Sequence, residues 1–305
     1  MKDIFDKRTV LVSGKGGVGK TTVAAAFSRA AAAAGKRVLA TEVAYETDSP
    51  TPLADLLGVK HATDDPQRVS DNLSMALLTP HAGHLHFLRD ALPMRMLADA
   101  AMKSAAIRRF LLAAPSLAEM GLLYRMLNLL RRTRSDGSFE FDVLVIDLPA
   151  TGHALGLAQV PSAILKVITR GPVYDAVKDG LAMMRDPLRT GTLLVTLPET
   201  LPTSEAIELA RGIATHHVPL AGIVVNRVPH NPFSPAERAV VDALALDPQR
   251  TLGARTLPRL DRARESLARI ESELGRPPMI LPEIIDEAQV EARVFAAITA
   301  LAGAA

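Results

Sequence analysis

Along the chain, short unbroken apolar runs alternate with longer stretches in which apolar residues recur every three or four positions. Runs at Val10 to Val12, Arg37 to Thr41, Asn72 to Leu78, Phe141 to Ile146, Thr192 to Leu197 and Leu220 to Asn226 have few polar interruptions. Runs of that length predict strands buried on both faces, as in a parallel sheet. Between them an alanine-rich helix opens after Lys20 and ends at Gly35, and another helix begins near Leu53. A third lies around Ser204 to Thr215, and amphipathic helices at Arg259 to Leu274 and Asp286 to Leu301 close the chain, separated by a short strand near Pro278 to Leu281. This alternation predicts an α/β fold with a mostly parallel, doubly wound sheet flanked by helices.

Two segments depart from it. Leu92 to Arg134 reads as helices broken at Pro93 and Pro115, and the helix Ser116 to Arg131 carries Leu117, Met120, Tyr124 and Leu127 on one stripe and Leu122, Met126, Leu129 and Leu130 on another. A helix apolar on more than one face must bury more than one face. Tyr174 to Leu188 repeats the pattern with Val177, Leu181, Met184 and Leu188. These segments hold Met94, Met96, Met102, Met120, Met126, Met183 and Met184. Unbranched thioethers repack easily, which suits a surface for varied apolar partners; on period alone, filling the core of a helical layer is the simpler account.

The chemistry concentrates at Thr9 to Thr22, T-V-L-V-S-G-K-G-G-V-G-K-T-T. A strand enters a loop with Gly14, Gly16, Gly17 and Gly19 and leaves into a helix at Lys20, Thr21 and Thr22, the P-loop context in its required order. Glycines let successive N–H groups turn onto a phosphate at the positive end of the helix. Lys20 would neutralise the β- and γ-phosphates, and the Thr21 hydroxyl would ligate Mg²⁺. Lys15 has no obvious phosphate task within one subunit, because Lys20 holds it.

Other candidates follow at strand ends, where ligands of open α/β sheets bind. Asp147, followed by L-P-A-T-G-H, ends a buried strand and can hold the Mg²⁺ shell, with Gly152 as a hinge. The acidic, proline-broken segment Glu42 to Pro52 reads as a loop, in which Asp48 or, just beyond it, Asp55 is placed to orient the attacking water; either also serves as a cap for the helix near Leu53. Asn226 could pair with an adenine edge. His81, His84 and His86 lie close together, but no carboxylate is placed to join them as a metal site.

Composition narrows the classes. At 305 residues, one large domain with an insertion suits the chain, and a formal charge of +2 without a dense basic block demands no nucleic acid. The absence of cysteine excludes disulfides, zinc bound through cysteine and thiol capture of metalloids. Neither a signal peptide nor a bilayer-length apolar window is visible, and the last helix lacks the build of a membrane anchor, so a cytoplasmic protein without a stable membrane anchor is expected.

Taken together, S-G-K-G-G-V-G-K-T-T (Ser13 to Thr22), D-L-P-A-T-G-H (Asp147 to His153), L-P-E-T-L-P-T-S-E-A (Leu197 to Ala206), V-V-N-R-V (Val224 to Val228) and M-I-L-P-E-I-I-D-E-A-Q-V-E-A (Met279 to Ala292) resemble the arsenical-pump (ArsA) and tail-anchored-protein-targeting ATPases, within the deviant Walker A group of P-loop NTPases. The resemblance spans nearly the whole chain. It implies a Mg²⁺-dependent ATPase that closes as a homodimer, or as a heterodimer with a paralogue, around two ATP molecules, with Lys15 reaching the partner's nucleotide. Catalysis would then rest on Lys15, Lys20, Asp48 and Asp147. Nucleotide contacts would come from Gly14, Lys15, Gly16, Gly17, Val18, Gly19, Lys20, Thr21 and Thr22, joined by Asn226, Arg227 and Pro282. Glu42, Asp48, Asp55, Asp147, Gly152 and His153 would form the switches, and Thr21 with Asp147, the latter through water or directly, would hold Mg²⁺.

The same resemblance implies a helical client-binding subdomain inserted at about 91–136 and 172–190 in a single domain covering 1–305. Its groove, lined by Met96, Met102, Met120, Met126, Met183 and Met184, would hold hydrophobic membrane-protein segments. A helix from Ser116 to Arg131 spans roughly 24 Å at 1.5 Å per residue, against ~30 Å for a transmembrane client, so one protomer nearly covers it.

Two departures matter. Glu42-Val43-Ala44 stands where the family has D-P-A, which permits slow turnover and keeps open a nucleotide-locked scaffold or half of a heterodimer. The cysteines that bind arsenite, and those that join eukaryotic targeting dimers through zinc, are missing, which disfavours an arsenite-pump subunit. A membrane- or DNA-positioning ATPase of the septum-site or partition type would need a basic face or an amphipathic tail, and neither is found.

Overall fold

The computed structural model describes residues 4–45, 50–92, 94–113, 117–149, 152–244, 256–286 and 289–303. Its strands are β1 (Thr9–Gly14), β2 (Val38–Val43), β3 (Gln67–Arg68), β4 (Leu73–Leu78), β5 (Val143–Asp147), β6 (Thr190–Thr196), β7 (Leu220–Val228) and β8 (Met279–Pro282). They form one sheet in the order β3-β4-β2-β5-β1-β6-β7-β8, parallel throughout except where β3 runs against β4. Because β1, β5 and β6 are buried at every position, they must be apolar on both faces, and this is why they read as unbroken apolar runs.

Side chains alternate between two layers. Val10, Val12, Val143 and Val145 pack with α1 (Lys20–Ala33), α2 (Pro52–Leu57) and α12 (Val290–Gly303) on one face. Leu11, Leu144 and Ile146 pack on the other with α6 (Leu117–Leu130), α7 (Gly152–Val167), α8 (Pro172–Arg185) and α9 (Thr200–Thr215). Alanines keep the inner face of α1 thin, and Arg29 on the same helix donates to the Leu56 carbonyl of α2 at 2.8 Å while pairing with Glu291 of α12. A third, small cluster joins β7 to α11 (Thr256–Leu274).

The helical stretch divides into α3 (Pro80–Ala91), α4 (Arg95–Lys103), α5 (Ala105–Ala113) and α6. Pro93 and Pro115 lie outside the described residues, and the break between α4 and α5 falls at Ser104, whose backbone is extended. The histidine-bearing stretch after Thr79, for which the sequence predicts no element, is a helix. Pro80 stands at its first turn, where proline is tolerated, and the Thr79 hydroxyl accepts from Ala82 N at 3.3 Å. His84 turns inward with its Nε2 2.6 Å from the Leu117 carbonyl, and His86 lies 3.3 Å from Arg125. The sequence reading also missed α7, which carries Pro161 in its interior, and α10 (Pro235–Ala243), opened by a Ser234–Glu237 capping box.

Helices α3 and α6 meet backbone to backbone. A Cβ at Gly83 would fall 1.6 Å from the Gly121 carbonyl oxygen, and one at Gly121 would fall 2.5 Å from the Pro80 oxygen. Of the six methionines expected to line a groove, Met102, Met120, Met126, Met183 and Met184 are buried, the last four in the cluster that α6 and α8 share with the sheet, whereas Met96 is 68% exposed. Met94, Leu97 and Ile107, on the same helical stretch, are exposed as well.

Gly83→Ala is expected to destabilise the chain by about 1–3 kcal/mol through overpacking, read as a lower urea midpoint. An unchanged midpoint would mean that α3 and α6 do not touch at this point.

Candidate functional site

The loop between β1 and α1 is shaped by its neighbours. Gly14 leaves β1 so close to β6 that a Cβ would lie 2.2 Å from the Val195 oxygen, and Gly19, at φ 93°, would put one 2.4 Å from Asn226 Nδ2. Lys15, Gly16 and Gly17 are exposed above this frame, while Val18 is buried beneath it. Lys20 Nζ crosses the loop to donate to the Lys15 carbonyl at 2.8 Å, and partial burial lowers its pKa against the opposing pull of Asp147. Thr22 lines the neighbouring cavity described below.

Register then sets the carboxylates. Val12 of β1 pairs with Asp147 of β5, and Asp147 pairs in turn with Glu42 of β2. Asp147 is buried, accepts from the Thr21 hydroxyl at 2.6 Å through Oδ2, and leaves Oδ1 buried with no partner among the described residues. Burial raises it to about 6, opposed by Thr21 and Lys20. An orphaned carboxylate oxygen beside a threonine hydroxyl, both hard oxygen donors, fits a site for Mg²⁺. When bound, that ion would supply charge neutralisation to phosphate oxygens.

Glu42 was expected in a loop. It belongs to β2, because β4 and β5 hydrogen-bond the strand from both sides as far as this residue. Its carboxylate is buried and accepts from Leu53 N at 3.1 Å and Ala54 N at 3.4 Å, so it ties the strand end to the positive end of α2. Burial raises it to about 7, opposed by these two N–H groups and reinforced by Asp147 and Asp55. Asp55 is exposed in the first turn of α2, and Asp48 lies outside the described residues. Gly152 opens α7 and His153 follows in its first turn; the His153 side chain is outside the described part.

On the other flank, Asn226 is already committed within the protein. Its Nδ2 donates to the Val18 carbonyl at 2.9 Å and its Oδ1 accepts from Arg227 N at 2.9 Å, so it clamps the phosphate loop to β7. Arg227 sits at φ 56°, in the left-handed region, where the β7–β8 register shifts. Asn226, Arg227 and Pro282 line one cavity of about 400 Å³ together with Gly19 and Thr22. Sequence reasoning missed Glu205 on α9, which forms an ion pair with Lys15 across the loop mouth. The signal was present in L-P-E-T-L-P-T-S-E-A, whose last acidic residue is Glu205.

A buried parallel sheet, a glycine loop feeding a helix, and a carboxylate in contact with the threonine that follows the loop lysine together define a P-loop nucleotide-binding protein. The family model for anion-transporting ATPases (ArsA ATPase) matches residues 7–173, more than half of the chain, and the chain belongs to that family. The ATPase BagA of Mycobacterium tuberculosis is 29% identical over 227 residues, covering 72% of this chain and 65% of the relative, so the chain spans about two thirds of the length of its mycobacterial relatives. An ATPase ASNA1 homolog of Paramecium tetraurelia is 22% identical over 75% of this chain and 78% of its own. The arsenical pump-driving ATPase of Escherichia coli is 26% identical over 71% of this chain and 34% of its own. Among the described residues no helix is long and apolar enough to cross a membrane.

Both raised carboxyls favour their protonated forms in the fold. Their contribution to stability is complete below the unfolded values of 4.5 and 3.8 and is lost as pH rises through about 7 and about 6. Without nucleotide or metal, the thermal midpoint is therefore expected to fall between pH 5 and pH 7.5, and Glu42→Gln to flatten that fall. Identical pH slopes in the two proteins would remove Glu42 as its source.

Proposed function

We propose that this protein is a Mg²⁺·ATP-dependent dimeric ATPase of the cytoplasm that couples closure around nucleotide to the binding or targeting of hydrophobic, tail-anchored-like membrane-protein segments. The observation that carries the nucleotide half is the contact of Thr21 with Asp147: one hydrogen bond joins the phosphate loop to the strand end that leads into α7 and the helical layer. ATP would lie with its phosphates on Gly14 to Thr22 and its base in the cavity between Asn226, Arg227 and Pro282. Names of relatives such as arsenical pump-driving ATPase and ASNA1 homolog support ATP hydrolysis in the family. Asp48 or Asp55 would orient the attacking water.

The client half rests on the helices within about 91–136 and 172–190, α4, α5, α6 and α8, as the inserted subdomain. With five of the six methionines buried, a groove through them requires α6 and α8 to part from the core; Met96, with Met94, Leu97 and Ile107, is the apolar surface a client meets first. Glu42 favours a second reading, a nucleotide-locked scaffold with little turnover, because its carboxylate faces α2 amides instead of open solvent.

In the closed dimer Lys15 would leave Glu205 for the partner's nucleotide. Lys20→Ala is expected to abolish ATP binding, whereas Lys15→Ala keeps it and loses at least tenfold in turnover and in ATP-dependent dimer, measured by light scattering. Glu205→Gln, which frees Lys15, is expected to lower the ATP concentration needed for dimer. A wild-type chain that stays monomeric at saturating Mg²⁺·ATP rejects this account. For the client, Met96→Asp with Leu97→Asp changes only exposed positions, so loss of capture of a leucine-rich transmembrane peptide at unchanged melting temperature is the expected result. Retained capture would exclude this surface.

A further inference from the structure

Next to the proposed base cavity, on the side of the sheet that faces α9 and α11, lies a second cavity of about 530 Å³. The two share Arg227 and Glu283, which stand as a ridge between them. The second is lined by Arg227, Arg259 and Arg262 against Glu199 and Glu283. Glu283 is occupied, accepting from Arg259 at 2.6 Å, and Glu199 acts on Arg259 only as a nearby charge. Arg227 and Arg262 have no hydrogen-bond or ion-pair partner among the described residues, so two of the three guanidinium groups in this lining are left free to meet a ligand, and three arginines outnumber the two carboxylates.

The backbone points the same way. An arginine at φ 56° is strained, and here the Asn226 amide oxygen holds that conformation by accepting from Arg227 N. α9 begins at this wall with Glu199 as its N-cap, and the Glu199 side chain makes no capping bond to the first N–H groups. Guanidinium forks match phosphoryl oxygens in a bidentate manner, and the volume leaves room for part of a carrier beyond the anion itself.

We propose that this cavity is a second anion site, separate from the phosphate loop, that takes a phosphoryl group, either as free pyrophosphate or as a ribose-borne phosphate of a nucleotide whose base lies across the ridge. The site goes beyond the ATPase reading and does not depend on dimer closure.

Calorimetric titration of inorganic pyrophosphate into the Lys20→Ala chain tests it with the phosphate loop disabled. One site per chain is expected to remain, and adding Arg262→Gln should weaken it about tenfold, the value of one charged hydrogen-bonding contact. Arg262 is exposed, so an unchanged melting temperature checks that the variant folds, and Arg262→Gln alone should leave ATP affinity within twofold. ADP compared with adenosine 3′-phosphate 5′-diphosphate separates the sources. A gain of about tenfold from the 3′-phosphate that vanishes in Arg262→Gln assigns the phosphoryl group to a nucleotide, and equal affinity assigns the free anion. If Arg262→Gln changes neither pyrophosphate binding nor the 3′-phosphate effect, the proposal is overturned.

Discussion

Asp147 and Glu42 end neighbouring parallel strands in register, both buried, and neither has an ion-pair partner among the described residues. A carboxylate removed from water without a counter-charge is costly, and the surroundings offset that cost piecemeal. Thr21 donates to Asp147, the first amides of α2 donate to Glu42, and Lys20 lies near enough to pull Asp147 down. What results is a pair of carboxyl groups balanced between charged and neutral forms, each tied to a different element: Asp147 to Thr21 at the start of α1, Glu42 to the first turn of α2. A cation brought beside them would shift both at once. This pair lies at the carboxyl edge of the sheet, beside the end of the phosphate loop.

The frame that makes this arrangement possible is close packing of backbone. Gly14 against Val195 and Gly19 against Asn226 leave no room for side chains, so the loop is held by β6 and β7 before any ligand arrives. Asn226 adds the hydrogen bond that fixes Val18. Preorganisation of this kind lowers the ordering cost of binding. The lysine that crosses the loop, Lys20, is oriented by a carbonyl of the same loop, and Lys15 is held outward by Glu205.

Much of this was legible from the chain, for identifiable reasons. Strands buried on both faces announce themselves as apolar runs, and the phosphate loop is a local motif whose glycines have backbone causes. Glu42 was less legible: as a polar residue after an apolar run it reads as loop, and only pairing on both sides extends the strand through it. α3 was hidden by Pro80, a residue that breaks helices inside and suits them at the first turn. The methionines show the limit of periodicity, since a stripe of thioethers looks the same whether it faces a partner or, as Met126 and Met184 do here, the sheet. Asn226 shows another limit, because a side chain at a strand end can serve the protein's own backbone as well as a ligand.

Arg29 has a quieter consequence. One guanidinium on the P-loop helix grips the carbonyl of Leu56 at the end of α2 and the carboxylate of Glu291 at the start of α12. Any tilt of α2 that drew Leu56 away would tug the same guanidinium and slacken its hold on α12. Helices α2 and α12 thus share a tie-rod that runs through α1 along one face of the sheet, and strain entering at one has a short mechanical route to the other.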